Sequence, residues 1–346
     1  MKHGFGIFGA GAIAEVHARA IETIEGSVLA GVYDTHPDRT TSFAMKYNCE
    51  PFSSPEDMLR NEKIDIVCIC TPSGSHLEPA LMSIRSGRHC IIEKPLEVTL
   101  ERCDRITEEA DRQNVVVAGI FPMRFADVNA DLKKCVDEGR FGKFIMGDVF
   151  VKWHRKPEYY SDVKWRASLE KCGGGAIMNQ AIHSIDLLQW YMGKVESVSA
   201  FTGLLGHKDI EVEDTGVAIL RFANGALGVI EASTAVNPGF FRRIELLGSK
   251  GSVVIEEESL LAWQFDEDRE EDHLIRSRYS AGNTSGGGVS DPKAISDTGH
   301  IRQFNEITAA IDNGISPSID AVEARKAVEI VVAIYRSARE KRIVYL

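Results

Sequence analysis

No run of more than two adjacent lysines or arginines occurs in this chain, and 40 Lys and Arg stand against 51 Asp and Glu, a formal charge of −11. General electrostatic attraction to nucleic acid or to an anionic membrane is therefore not expected. Nowhere do about 18 apolar residues follow one another, the length a membrane-spanning helix needs. The opening Met1-Lys2-His3-Gly4-Phe5-Gly6 has neither the apolar stretch nor the small-residue cleavage site of a secretory signal. A cytoplasmic protein is the expectation. The seven cysteines form no CxxC pair, and Cys68 and Cys70 sit inside an apolar run, so they read as reduced, buried thiols. No metal-ligand cluster, P-loop lysine, Ser–His–Asp order or internal repeat stands out, and no metal is expected.

What is present is the composition of an ordinary globular protein, 44% hydrophobic and 26% charged over 346 residues, long enough for two domains. Residues 4–120 alternate short apolar runs (Phe5–Phe8, Val28–Tyr33, Ile64–Cys70, His89–Ile92) with amphipathic stretches (Ile13–Ile24, Thr41–Tyr47, Glu78–Ser86). That alternation predicts an α/β domain with a doubly wound parallel sheet, covered on both faces. From about Phe144 the pattern changes to period-two alternation and turn dipeptides: Val195–Leu204, Asp214–Phe222 closing on Asn224-Gly225, Leu227–Thr234, Arg242–Leu247 and Ser252–Ile255. A large, mostly antiparallel sheet is expected, interrupted by helices at Asn129–Glu138 and Ala176–Met192 and followed by helices at Ile301–Asp312 and Ala321–Arg339. The boundary falls between 121 and 122, giving a dinucleotide-binding domain over 1–121 and an α+β domain over 122–346. Ser277–Gly299 reads as a surface loop or a cover for the site, and the acidic runs Glu256–Glu258 and Asp266–Asp272 as solvated turns.

Gly9-Ala10-Gly11-Ala12-Ile13-Ala14 fits GxGxxG/A directly after an apolar strand and at the start of a helix. Gly9 permits the tight turn, Gly11 lets the backbone approach a pyrophosphate at the helix N-terminus, and Ala14 lets helix and strand pack closely. Asp34 ends the second strand at the place where an acid binds the adenosine ribose and repels a 2′-phosphate. NAD is therefore expected over NADP, with Arg39 close enough to weaken the preference.

Three further segments carry a resemblance: Thr71-Pro72-Ser73-Gly74-Ser75-His76, Glu93-Lys94-Pro95, and Gly173-Gly174-Gly175-Ala176-Ile177-Met178-Asn179-Gln180-Ala181-Ile182-His183. In this order, after the glycine turn, they resemble the glucose–fructose oxidoreductase / inositol dehydrogenase / rhizopine-catabolism (Gfo/Idh/MocA) family across essentially the whole chain. The resemblance implies an N-terminal Rossmann domain, an open-faced substrate domain, a nicotinamide cofactor at the cleft between them, and a Lys and a His beside its reacting carbon. By motif those are Lys94 and His183. Thr71, Pro72 and His76 match a loop that follows the dinucleotide, Glu93 a position near the nicotinamide ribose, and Trp165-Arg166 a cleft-lining element. Two departures are Asn179, where many members have Asp, and Pro122 or Met123, where a polar residue is common.

Oxidising a secondary alcohol needs one positioned proton acceptor. His183, with an ordinary pKa near ~6.5, suits that task, and Lys94 suits donation to the developing alkoxide. Asn179, four residues before His183, is a candidate for a neighbouring hydroxyl. Asp186 is a candidate for holding the imidazole tautomer, and His300 for lining the site. The expected protein is an NAD-dependent sugar or polyol dehydrogenase with a small-molecule substrate, a homodimer or homotetramer because one sheet face is open. A glycoside-cleaving enzyme that oxidises transiently and a non-catalytic NAD-binding regulator are the alternatives.

Overall fold

The computed structural model describes residues 3–280 and 297–346. They form two compact units, one of residues 3–122 with 297–328 and the other of residues 123–280 with 329–346.

The first unit is built on six parallel strands: β1 (Gly4–Phe8), β2 (Val28–Tyr33), β3 (Glu50–Pro51), β4 (Ile66–Ile69), β5 (His89–Ile92) and β6 (Val117–Gly119). Their order, β3-β2-β1-β4-β5-β6, is that of a doubly wound dinucleotide-binding sheet and reverses direction between β1 and β4. Every residue of β1 and β4 is buried, as helices on both faces require and as the unbroken apolar runs foretold. Each of β1, β2, β4 and β5 ends in a loop that carries a candidate site residue.

The sequence reading assigned everything beyond 121 to the second domain, but residues 297–328 pack with the first unit. The helix Thr298–Asn313 buries Phe304 and Ile307 in the core of that unit, with Phe304 stacked on Phe5 at 6.3 Å between ring centroids. Gln303 seals the join: its amide donates to the Gly119 carbonyl at 2.8 Å and its carbonyl accepts the Phe121 N–H at 3.1 Å. Periodicity shows that a helix has an apolar face but not which sheet that face covers.

The second unit holds β7 (Phe144–Lys152), β8 (Val195–Gly203), β9 (Thr215–Phe222), β10 (Leu227–Ser233), β11 (Arg243–Gly248), β12 (Gly251–Glu256), β13 (Ser259–Phe265) and β14 (Val344–Tyr345). They form one sheet in the order β13-β12-β11-β7-β10-β9-β8-β14, antiparallel throughout except between β7 and β10. Strand β9 alternates buried and exposed positions, and β9 turns into β10 at Asn224-Gly225, where Gly225 has φ +88°. The helix Ile182–Met192 covers the inner face, and Gly147 leaves room for it: a Cβ there would lie 2.8 Å from the Met192 sulfur. Phe201, Val217 and Ile219 are exposed on the other face.

Asp272 and Glu257, expected in solvated turns, are buried instead. Asp272 accepts two bonds from Arg140 (2.7 and 2.6 Å) and one from the Trp263 indole (2.6 Å), while Glu257 pairs with Arg242 at 2.8 Å. Of the expected Ser277–Gly299 loop, residues 281–296 lie outside the described residues, and Thr298 and Gly299 open a helix. None of the seven cysteines is in a disulfide, and six of them are buried. Among the described residues no helix is long and apolar enough to cross a membrane.

Candidate functional site

In the first unit the turn after β1 has the geometry its glycines suggest. Gly9 adopts φ +91°, and a Cβ there would lie 2.7 Å from the Cys70 carbonyl oxygen, so only glycine fits. Gly11 caps the helix Ala12–Glu22 without a side-chain bond, and a Cβ on it would meet nothing within 4 Å. The backbone is thus open beside a helix start whose first residues, Ala12 and Ile13, offer their amides to an anion. Asp34, just past β2, accepts the Ala10 N–H at 2.8 Å, and its other oxygen accepts the His36 N–H at 2.8 Å. Burial opposes its ionisation, but those bonds, the His36 side chain and the charge of Arg39 hold the carboxyl below its ordinary value.

The loop after β4 and the turn after β5 are tied together by His76. This buried imidazole places one nitrogen 2.9 Å from the Pro95 carbonyl and the other 3.0 Å from the Thr71 carbonyl. Thr71 itself donates to the Ser75 carbonyl at 2.9 Å, closing the Ser73–Ser75 turn after Pro72. His76 thus braces the loop from inside. Sequence reasoning missed a second brace, Glu97, which is buried and accepts the His76 and Leu77 amides (3.2 and 3.1 Å) and the Arg102 guanidinium (2.9 Å).

Glu93 is buried as well. One carboxylate oxygen lies 2.9 Å from His17 Nε2 and 3.6 Å from His300 Nε2, and the other accepts the Lys94 N–H at 3.1 Å. Burial pushes this carboxyl up, but the two histidines outweigh it and hold the group well below the usual range. Burial also keeps His17 below its ordinary value, consistent with its Nδ1 lying 3.4 Å from the Cys70 sulfur. The donor atoms of His17, Glu93 and His300 all lie within 4.8 Å of one another, but the 2.9 Å contact is a hydrogen bond, and the trio works as a fastening for the turn that carries Lys94. His300, expected to line the site, is part of this fastening. The half-exposed Lys94 follows it directly.

In the second unit the expected helix Ala176–Met192 begins as a π-helical turn, Ala176–Ala181, and continues as an α-helix from Ile182. Such turns are rare and concentrate at functional sites. Between Gly174 and Met192 only Asn179, Gln180, His183 and Trp190 escape full burial. Asn179 and Gln180 both donate to the Tyr159 hydroxyl, at 3.3 and 2.8 Å, and Gln180 accepts Arg155 at 3.0 Å. Arg166, read from the sequence as part of a cleft-lining element and a candidate for the cofactor, lies with these residues, its guanidinium 4.2 Å from the Tyr159 ring. Asp186 takes two bonds from Arg124, at 2.7 and 2.6 Å.

Residues 3–121 match the model of the oxidoreductase family with an NAD-binding Rossmann fold, and residues 129–254 match the GFO/IDH/MocA C-terminal domain. The WlbA dehydrogenase of Bordetella pertussis, solved with NADH and UDP-GlcNAcA, is 32% identical, covers 99% of this chain and 97% of its own, and superimposes with a TM-score of 0.91. This chain belongs to the GFO/IDH/MocA family. The myo-inositol 2-dehydrogenase of Thermotoga maritima is 26% identical over 99% of this chain and 98% of its own length. Oxidoreductase P35 of Formosa agariphila is 30% identical over 60% and 67% respectively. Like other GFO/IDH/MocA proteins with the Rossmann domain, this one is an NAD-dependent oxidoreductase acting on CH–OH groups, and the turn at Gly9–Gly11 with Asp34 fits that cofactor.

Proposed function

We propose that this GFO/IDH/MocA protein is a cytoplasmic dehydrogenase that oxidises a secondary hydroxyl on a sugar, polyol or sugar derivative, with His183 as general base and Lys94 polarising the hydroxyl. The observation that carries the reading is the accessible stripe on a segment otherwise buried: Asn179, Gln180 and His183 are its polar members, and one of them can take a proton near neutrality. NAD, when bound, supplies the hydride acceptor. Gly9, Gly11, Ala12 and Ile13 would hold its pyrophosphate, Asp34 its adenosine ribose, and the loops of Thr71, Pro72 and Glu93 its other half. His183 removes the hydroxyl proton. The Lys94 ammonium donates to the same oxygen and stabilises the negative charge that develops there. Glu93 fixes the Lys94 backbone amide, so that ammonium starts from a defined point of the chain. Asn179, donor and acceptor at once, orients a neighbouring hydroxyl.

A finer reading concerns charge. Residues 152–171 hold six Lys and Arg against three Asp and Glu in a chain of net −11. Within them Arg166 bonds a carbonyl and rests on a ring instead of facing a carboxylate. An anionic nucleotide sugar, as bound by the Bordetella relative, suits a guanidinium placed in this way. Phe201 and Ile219, 81% and 58% exposed on the open sheet face, further support a homodimer or homotetramer.

The test is NADH formation from NAD with UDP-GlcNAcA, myo-inositol, levoglucosan and simple glucosides in parallel, with light scattering for the assembly state. Net NADH with one of them, UDP-GlcNAcA foremost, is expected. Glycoside cleavage without net NADH would favour transient oxidation, and tight NADH binding with no turnover a regulator.

A further inference from the structure

The four backbone amides that open the π-turn all end on two residues from distant parts of the second unit. Glu213, in the loop before β9, accepts the Gly175 N–H on one carboxylate oxygen and the Ile177 N–H on the other, each at 2.8 Å. Its backbone carbonyl accepts the Ala176 N–H at 3.0 Å. Tyr335, on the helix Ala321–Glu340, accepts the Met178 N–H at 3.1 Å and donates its own hydroxyl to Glu213 at 2.8 Å. These are the four donors that a helix start leaves without an internal partner. Asn179 is the first residue whose amide bonds back within the segment, to the Gly175 carbonyl at 2.9 Å.

The fit is close enough to dictate sequence. A Cβ on Gly174 would stand 2.0 Å from the Tyr335 hydroxyl oxygen, and one on Gly175 1.8 Å from the Glu213 carbonyl oxygen. The three groups bonded to the Glu213 carboxylate, the Gly175 and Ile177 amides and the Tyr335 hydroxyl, are all donors, an arrangement that suits the ionised form; burial nevertheless raises its pKa. A π-turn persists only where its surroundings over-determine it. One residue more or less in a helical turn rotates the rest of the helix by about 100°, so this anchoring decides which side chains share a face with His183.

We infer that Glu213 and Tyr335 are positioning residues for the reaction, acting by holding amides 175–178 so that the π-turn presents Asn179, Gln180 and His183 together. The inference rests on His183 being the base. Neither residue touches substrate in this scheme; they act through the backbone.

The test compares Tyr335→Phe and Glu213→Gln with His183→Asn and with Trp263→Phe, which removes a buried bond to Asp272 elsewhere in the same unit. The readouts are the NADH dissociation constant, thermal midpoint, and kcat and KM on whichever compound of the panel yields NADH, UDP-GlcNAcA first. The His183 Cε1–H resonance, assigned through His183→Asn, needs no substrate. Tyr335→Phe and Glu213→Gln are expected to lower kcat about tenfold or more with NADH binding within twofold, and to move the His183 resonance. Trp263→Phe is expected to lower the thermal midpoint with kcat and the resonance unchanged. If both brace variants keep kcat within twofold while His183→Asn loses a hundredfold, the brace is structural only and the base assignment stands. If Trp263→Phe lowers kcat as much as they do, stability explains the effect and the inference falls. If His183→Asn itself stays active, the base assignment and the brace fall together.

Discussion

The two units place their candidate residues by different means. In the first, Gly9 and Gly11, Asp34, Thr71 and Lys94 each follow the last residue of a parallel strand, β1, β2, β4 and β5. Parallel strands carry their C-terminal ends to one edge, so loops far apart in sequence converge there by topology alone. In the second unit the candidates lie on one short stretch, Asn179 to His183, whose start is held by Tyr159, Glu213 and Tyr335 through bonds that span 20 to 157 residues. A repeated strand–loop architecture places the first set of residues; hydrogen bonds from distant segments place the second.

The sharpest way to break this division is His183→Asn. Turnover should fall about 10²–10⁴-fold, and the rise of oxidation rate with pH should disappear, because an amide cannot take the proton. NADH affinity should hardly change, since that edge belongs to the first unit; loss of NADH binding would show that the division is false. Next comes Lys94→Ala, expected to cost about 10²–10³ in turnover, the scale for one lost donor to a developing oxyanion. Lys94→Arg should not restore activity, because a planar fork does not replace a compact ammonium, and near-normal rates in either variant would return Lys94 to a structural role.

Smaller effects sharpen the contrast. Asp34 should make NADH bind at least ~10-fold more tightly than NADPH, measured by titrating both. Equal affinities would hand control to Arg39. Asn179→Asp, which restores the acid common in the family, should leave an active enzyme whose pH profile moves upward, since a nearby carboxylate raises an imidazole pKa. An unchanged profile would separate residue 179 from the proton transfer.

The smallest expected effect is the acid sensitivity of the fastening behind Lys94. In the fold Glu93 sits below its ordinary 4.5 and His17 below 6.5. In both cases the unfolded chain binds the proton first, so the stability these groups provide is present above those values and is lost as pH falls. The thermal midpoint should decline gently below pH 6.5 and faster below 4.5, and Glu93→Gln should flatten the lower part. A midpoint independent of pH over this range would mean that the network is weaker than its distances suggest.

By itself the sequence determined the parallel sheet and the turns that follow its strands, because continuous apolar strands and a glycine turn are local features whose geometry follows from backbone sterics. It also determined which residues carry titratable chemistry. Only tertiary structure decided that Glu93 and His300 face inward, that His76 braces a loop, that Thr298–Asn313 covers the first sheet, and that Ala176–Ala181 leaves the α-helical path. The physical reason is the same in each case. A buried carboxylate, imidazole or amide must find its partner, and that partner is supplied by whichever segment the fold brings near, as with Glu93 and His300, 207 residues apart, which no local pattern encodes.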